Sequence, residues 1–153
     1  MVHLAEMPDK QRNMIVNQEL PEYDNTPCAD GPSLSERKIA IITTAGLHRR
    51  EDNVFTPGVG EYRVIPSNTD INNLIMSHVS TNFDRTGFQQ DFNTVFPIER
   101  LQELKNSGEI AEVASYHYAF MGATPPMAFE AVAKDLVGIL KSDKVTGVIL
   151  VGV

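Results

Sequence analysis

Short apolar runs alternate with polar loops and with two amphipathic stretches along this chain. Five apolar runs predict strands, at residues 38–44, 62–65, 73–77, 112–116 and 145–153, although the run at 112–116 could instead form a less regular buried segment. Helices are predicted at residues 97–105 and 125–141, which contain apolar side chains at spacings of three and four and begin with a proline. Thr124 is the predicted N-cap of the second helix. This order predicts an α/β fold with a largely parallel, Rossmann- or flavodoxin-like sheet and flanking helices.

The last apolar run, residues 145–153, is rich in β-branched residues and typical of a fully buried strand, and the sequence stops at its final residue. In a doubly wound fold, the chemistry lies in the loops just beyond the carboxyl ends of such strands. We therefore expect the fold to be incomplete at its C-terminus and the reactive group to lie beyond Val153. An incompletely covered last strand is also expected to favour self-association, and hence a homo-oligomer.

Residues 1–37 differ in composition from the rest of the chain. They contain four of the nine prolines, many polar residues and little periodicity, so they lack the apolar side chains needed to offset the entropy of ordering. The sequence predicts an extended, proline-rich arm at residues 1–37, lying on the domain or on a partner, and one α/β domain at residues 38–153.

The composition narrows the choice of partners and of compartment. Thirteen basic residues against twenty acidic ones give a formal charge of −7. The basic residues are scattered, which argues against a nucleic-acid partner. No run approaches the ~18 apolar residues of a membrane span, and no secretory signal is visible, so we expect a cytoplasmic protein without a membrane partner. The single cysteine, Cys28, is interpreted as a bystander in a polar loop rather than as a nucleophile.

Three histidines follow predicted strands. His48, His78 and His117 fall at or just beyond the predicted carboxyl ends, so a parallel sheet would gather them along one edge. Gathered imidazoles can bind a metal, move protons or hold a carboxylate, although each alone is more often a hydrogen-bonded structural residue. No pair has the close helical spacing of an H-x-x-x-H motif, so neither a metal nor a cofactor is predicted.

Two further groups of residues could bind an anion. Gly122 and Thr124, at the start of the second predicted helix, could hold a carboxylate or a phosphate, or form an ordinary turn. Arg85 could clamp a carboxylate while Asp84 orients a histidine, or the two could simply pair with each other within their loop.

An ordered series of motifs resembles the selenoprotein B family of glycine, sarcosine and betaine reductases and of D-proline reductase. The series comprises IAIITTAGLH at 39–48, RVIP at 63–66, Ser77-His78, Asp84, DFNTVFPIERL at 91–101 and FMG at 120–122. The resemblance runs from about residue 38 to the end. It implies a selenocysteine or cysteine immediately after the strand at 145–153, whose selenolate or thiolate attacks the substrate and cleaves a carbon–nitrogen bond reductively. A selenocysteine codon read as a stop, or a deliberately trimmed polypeptide, would each end the chain here.

The chain departs from this family at residues 79–83 and 123–126, where glycine-rich runs are replaced, so the substrate does not carry over. The leading hypothesis is a subunit or fragment of a reductase acting on a small amino acid or amine, together with other reductase subunits. Its site wall would comprise His48, His78, Asp84, Arg85 and His117. The alternatives are a non-catalytic α/β subunit of a multiprotein complex and a metal-dependent hydrolase that uses the three histidines.

Overall fold

A computed structural model describes residues 3–23, 29–80 and 85–153. Its α-helices are α1 (Asp9–Val16), α2 (Thr86–Gln90), α3 (Ile98–Asn106) and α4 (Glu130–Ser142). Its strands are β1 (Lys38–Thr43), β2 (Leu47–Arg49), β3 (Tyr62–Pro66), β4 (Leu74–Met76), β5 (Glu112–Val113), β6 (Tyr116–Phe120) and β7 (Gly147–Val151). Short 3₁₀ turns lie at Leu4–Glu6, Leu34–Glu36, Ile71–Asn73, Phe92–Thr94 and Pro126–Phe129.

Strand β1 lies at the centre of the main sheet. It pairs in parallel with β7 along one edge and with β5 and then β6 along the other, and β3 adds to β6 in antiparallel fashion. The pairing slips by two residues between Lys38, which faces Glu112, and Ile42, which faces Tyr118. The two extra residues, Ala114 and Ser115, form a bulge that separates β5 from β6.

The sheet carries an apolar core on each face. Ile39 and Ile41 of β1 pack with Leu101 of α3 in one cluster. Ala40 packs with Leu136 of α4 in the other. This alternation along β1 is what a strand buried on both faces requires.

A second, two-stranded sheet lies at the carboxyl end of the first. Gly46 directs the chain into it with a φ of 68°, a left-handed conformation that suits glycine. Its N–H donates to Phe120 at 2.8 Å, and its carbonyl accepts the N–H of Ser77 at 3.0 Å. Strands β2 and β4 pair antiparallel just beyond it, so Ser77 and His78 lie against the ends of β1 and β6.

The α/β fold with a mostly parallel sheet and flanking helices is confirmed. The predictions of 38–44, 62–65 and 97–105 agree with β1, β3 and α3 within one residue at each end. The interval 73–77 does contain a strand, β4, but it belongs to the small antiparallel sheet rather than to the main one.

Four local predictions are wrong. His117 does not follow the end of a strand at 112–116, because that run is divided by the bulge and β6 extends past the histidine to Phe120. Thr124 is not an N-cap, since the helical run starts at Pro126 and α4 at Glu130. Residues 1–37 are not extended throughout, because they include α1. Strand β7 is not fully buried, because alternate side chains along it are exposed.

Candidate functional site

The carboxyl ends of β1, β6 and β7 meet at Thr44. The N–H of Gly122, just after β6, donates to the Thr44 carbonyl at 2.8 Å, and the N–H of Thr44 donates to the Val151 carbonyl at 2.9 Å. The N–H of Val153 donates to Thr44 Oγ1 at 2.9 Å. Thr44 therefore fixes Val151, the last residue of β7, and Val153, just beyond it, against the turn that follows β6.

Gly122 lies at the point where three groups converge. A Cβ atom on this residue would lie 2.7 Å from the backbone oxygen of Val153, 2.9 Å from that of Thr44 and 3.1 Å from His78 Nε2. Because two of these atoms belong to the backbone, an added side chain would force the chain to shift, so the position strongly favours glycine. The sequence singled out Gly122 as a possible anion-binding residue, whereas the close approach of these chains explains why a glycine is needed.

His78 is buried beside this point. The N–H of Ser80 donates to its Nδ1 at 3.2 Å, which places the proton of the neutral ring on Nε2, the nitrogen next to Gly122. Burial lowers the pKa of His78 below its usual value, and the nearby Arg85 guanidinium lowers it further. At neutral pH this ring is therefore neutral and carries a hydrogen-bond donor on Nε2. It lies near the carboxyl ends of β1 and β6, although the strand that it follows, β4, belongs to the small sheet and not to the parallel one.

Arg85 supports the loop that carries His78. Its Nη2 donates to the carbonyl oxygens of His78 at 2.6 Å and of Ser80 at 2.7 Å. These two bonds hold the chain in the turn that presents the imidazole. Asp84, the other predicted member of this pair, lies outside the described residues.

His48 lies in β2 and its ring links this strand to the residue that follows β4. Its Nδ1 hydrogen-bonds the Arg49 carbonyl at 2.8 Å, so Nδ1 carries the proton and Nε2 accepts the hydroxyl of Ser77, also at 2.8 Å. Both ring nitrogens are therefore used within β2 and the end of β4. His48 borders the site through Ser77, which precedes His78.

His117 does not lie at the carboxyl edge. It is fully buried inside β6, paired with Ile65 of β3. Its Nδ1 accepts the N–H of Ile41 at 2.9 Å, and so takes the place of a strand carbonyl at the bulge. The ring of Phe96 packs edge-to-face against the imidazole of His117, with 5.4 Å between the two ring centroids. Burial lowers the pKa of His117 to about 4, so the ring is a neutral part of the sheet.

The three histidines therefore do not form one row. His78 lies at the carboxyl edge, His48 lies behind it, and His117 lies in the core, so the arrangement that a three-histidine metal site needs is not formed. Within residues 3–23, 29–80 and 85–153, no group of three or more His, Cys, Asp or Glu side chains is arranged to hold a metal ion.

A cavity of about 340 Å³ adjoins the convergence point. It lies between α1 and the turn after β6 and is lined by Met14, Gln18, Gly122, Ala123, Thr124 and Pro125. Its size suits a small-molecule ligand. Two of these residues, Met14 in α1 and Gln18 just after it, belong to the segment predicted to be an arm. No local signal in the sequence linked this segment to the site.

A larger depression of about 650 Å³ lies on another part of the surface, near Asp52 and Arg63, and none of the predicted site residues lines it. Its charged groups pair with neighbouring residues, Asp52 with Arg49 at 2.7 Å and Arg63 with Glu61 at 3.2 Å. Size alone therefore does not identify the site. None of the helices described in the structure is long and apolar enough to cross a bilayer.

Comparison with known proteins gives consistent matches. The family model described as glycine/sarcosine/betaine reductase selenoprotein B matches residues 9–153. This match begins well before residue 38, so it includes most of the segment predicted as an arm. The D-proline reductase subunit gamma of Acetoanaerobium sticklandii is 32% identical over 90 residues, which cover 58% of this chain and 36% of that protein.

A second relative extends the similarity over more of the chain. The glycine reductase complex component B subunit gamma of Symbiobacterium thermophilum is 28% identical over 141 residues, covering 86% of this chain and 32% of that protein. The chain thus spans about a third of the length of either relative. No solved structure gives a significant match.

Proposed function

Because the chain belongs to the glycine/sarcosine/betaine reductase selenoprotein B family, we propose that it forms one wall of a reductase active site. The reaction is the reductive cleavage of a carbon–nitrogen bond in a small amino acid or amine by a selenolate or thiolate. Both relatives are named as subunits of reductases, so this chain is expected to act with other subunits.

One observation carries this proposal: the end of β7 and His78 reach the same point. The backbone oxygen of Val153 and His78 Nε2 lie 2.7 and 3.1 Å from the position of a Gly122 Cβ. A residue attached after Val153, which lies two positions beyond the end of β7, would be placed beside this imidazole. That is the position at which the family resemblance implies the nucleophile.

The neutral His78 ring suits a particular role there. A neutral imidazole is a poor acid, but its Nε2–H can donate a hydrogen bond to an anion in a dry site, as preorganised donors do. This bond stabilises the selenolate or thiolate over its protonated form. The nucleophile's electron pair then forms a bond to the substrate carbon while the nitrogen leaves with the C–N pair and takes a proton from solvent. A dithiol reductant then attacks the bound selenium or sulfur, the carbon leaves with that bonding pair and takes a proton, and the second thiol frees the nucleophile by closing a disulfide, so the two electrons come from the two thiols.

The substrate is proposed to occupy the cavity between α1 and the turn at Gly122. Glycine and proline, named in the two relatives, both carry a carboxylate one carbon from the nitrogen. The turn offers the backbone N–H groups of Ala123 and Thr124 for such a carboxylate, ahead of two prolines that have none.

The test is the acidity of a thiol at this position. A cysteine is added after Val153 in a Cys28→Ser background, which removes the natural cysteine, and its pKa is read from the pH dependence of alkylation by iodoacetamide. We expect a value below the ~8.5 of a free cysteine. His78→Asn keeps an acceptor for the Ser80 N–H but removes the Nε2 donor, so the thiol pKa should rise.

The control is His3→Asn, an exposed histidine ahead of α1 that should leave the thiol unchanged. A thiol with an ordinary pKa that is insensitive to His78→Asn would contradict the assignment of His78.

A non-catalytic subunit is the second candidate function, and His48 and His117 favour it. Both use ring nitrogens to support strands, so a histidine-rich edge does not require catalysis. This alternative predicts that replacing His78 changes stability or assembly but leaves binding of small amino acids untouched. Calorimetric titration with glycine and D-proline separates the two candidates.

A further inference from the structure

Strand β7 has one edge that no other described strand covers. It pairs with β1 along five residues, and within the described residues no strand lies on its other side. Strands in parallel sheets are normally covered on both faces. A bare edge presents unpaired N–H and carbonyl groups that accept another strand.

One face of β7 is also only partly covered by the described residues. Ile149 and Val151 pack against the cluster beneath α3. On the opposite face, Val148 is 40% exposed and Leu150 is 76% exposed. The described core clusters contain neither of these two side chains.

Helix α4 explains why this face is open. Its Leu136 and Leu140 pack on Ala40 of β1 and Tyr118 of β6, so it covers the strands on the far side of β1 and stops short of β7. In α/β sheets, each added parallel strand normally brings a helix that packs on the same sheet. One more strand could therefore pair with the free edge of β7, and one more helix could pack on the Val148–Leu150 face beside α4.

The residues of β7 favour binding of an apolar protein segment. Residues 145–153 contain no charged side chain, so this face offers main-chain hydrogen bonds and apolar contact rather than ion pairs. The relatives contain such additional protein, because the matches cover only 36% and 32% of their lengths.

We propose that the free edge of β7 and the Val148–Leu150 face bind a strand and a helix from the region of a selenoprotein B-type polypeptide that lies outside this match. Strand β7 then becomes an inner strand, and the closed edge helps to exclude water from the point beside His78. This inference rests on the topology and the family, and not on the reduction chemistry, so a binding test can fail or succeed independently of catalysis.

The test uses a defined probe. The probe is the part of the Acetoanaerobium sticklandii D-proline reductase subunit gamma outside its match to this chain, produced separately and mixed with the purified chain. Sedimentation velocity should show a one-to-one complex, and hydrogen exchange should slow at the β7 amides that face away from β1. The positive control mixes the same probe with the part of the relative that matches this chain. A complex between these two parts shows that the isolated probe is folded and able to bind.

Two variants of the same type locate the contact. Val148→Glu should weaken the complex at least tenfold. Val64→Glu alters a valine of similar exposure, 39%, on β3 at the opposite edge of the sheet, and should leave the complex unchanged. If circular dichroism shows that Val148→Glu is unfolded, Val148→Ser takes its place.

Three results would overturn the proposal. The first is that the probe binds the matching part of the relative but not this chain. The second is that Val148→Glu and Val64→Glu weaken binding equally. Alternatively, the chain alone dimerises through β7 and the dimer excludes the probe, in which case a second copy is the occupant.

Discussion

His117 lies inside the main sheet and His78 lies in the loop that follows β4, yet the two buried imidazoles share two local properties that often mark a functional histidine. Each ring accepts a backbone N–H at Nδ1, from Ile41 at 2.9 Å and from Ser80 at 3.2 Å. Burial lowers the pKa of both. Their difference lies in position: His117 replaces a strand carbonyl at a bulge, whereas His78 lies where three chain segments converge.

The comparison shows that a perturbed pKa does not by itself identify a site. Structural groups in a dry core are perturbed for the same reason as catalytic ones. What separates the two rings is where Nε2 lies: for His117 in the interior of the fold, and for His78 at the carboxyl edge beside the end of β7. We therefore expect His117 to control global stability and His78 to control the site.

Replacement of His117 should have the largest effect. His117→Ala removes a buried ring and leaves the Ile41 N–H without its acceptor, so the free energy of unfolding should fall by about 3–5 kcal/mol. His78→Ala, which loosens one loop, should lower it by about 1–2 kcal/mol. Urea unfolding followed by circular dichroism measures both.

Two further substitutions at His117 separate packing from hydrogen bonding. His117→Phe keeps the volume and removes the acceptor, whereas His117→Asn keeps an acceptor near the position of Nδ1 and removes part of the ring. If His117→Phe is as stable as the parent, the bond to Ile41 does not hold the bulge.

The free energy of unfolding should also depend on pH through His117. The pKa of His117 is about 4 in the folded chain and ~6.5 when unfolded, so the unfolded chain binds more protons between these values. The free energy of unfolding should therefore fall as the pH drops from ~6.5 towards 4, by about 3 kcal/mol for the complete shift. His78, whose pKa is also lowered, adds a contribution of the same sign.

Comparison with His117→Phe isolates this contribution. That variant retains His78 and all the carboxylates, so the difference between its pH profile and that of the parent belongs to His117. Urea midpoints measured from pH 7.5 to 4.5 provide both profiles. Parallel profiles would contradict the buried, neutral state of His117.

At the site, Gly122→Ala should cost about 1–3 kcal/mol, because the new methyl group overlaps two backbone oxygens. It should also shift the NMR signals of His78. Gly138→Ala is the matched control, because no atom lies within 4 Å of its added Cβ. Within α4 this substitution should stabilise the chain by about 0.8–1 kcal/mol. Equal effects at the two glycines would show that the convergence at Gly122 is not tight.

The sequence predicts one of the two histidine positions because its signal is local. His78 follows a short apolar run that does form a strand, and β1, β3 and α3 likewise follow from periodicity in neighbouring residues. His117 is misplaced because the bulge at Ala114 and Ser115 arises from pairing with β1, about 75 residues away in the chain. Strand β7 resembles a buried strand in sequence. Its exposure depends on which other segments pack on it, and the residues of the strand alone do not predict this.

The smallest expected effect is the most specific to the site edge. Thr44→Val keeps the shape of the side chain but removes the hydroxyl that accepts the Val153 N–H, so global stability should fall by only about 0.5–1.5 kcal/mol. Hydrogen exchange should nevertheless speed up strongly at Val153 and hardly at all at Ile41, whose N–H is held by His117. Thr44→Ser restores the hydroxyl and should restore protection. Uniformly faster exchange in Thr44→Val would mean that the end of β7 is held by the whole sheet rather than by Thr44, and would remove the distinction between core and site edge drawn from the two histidines.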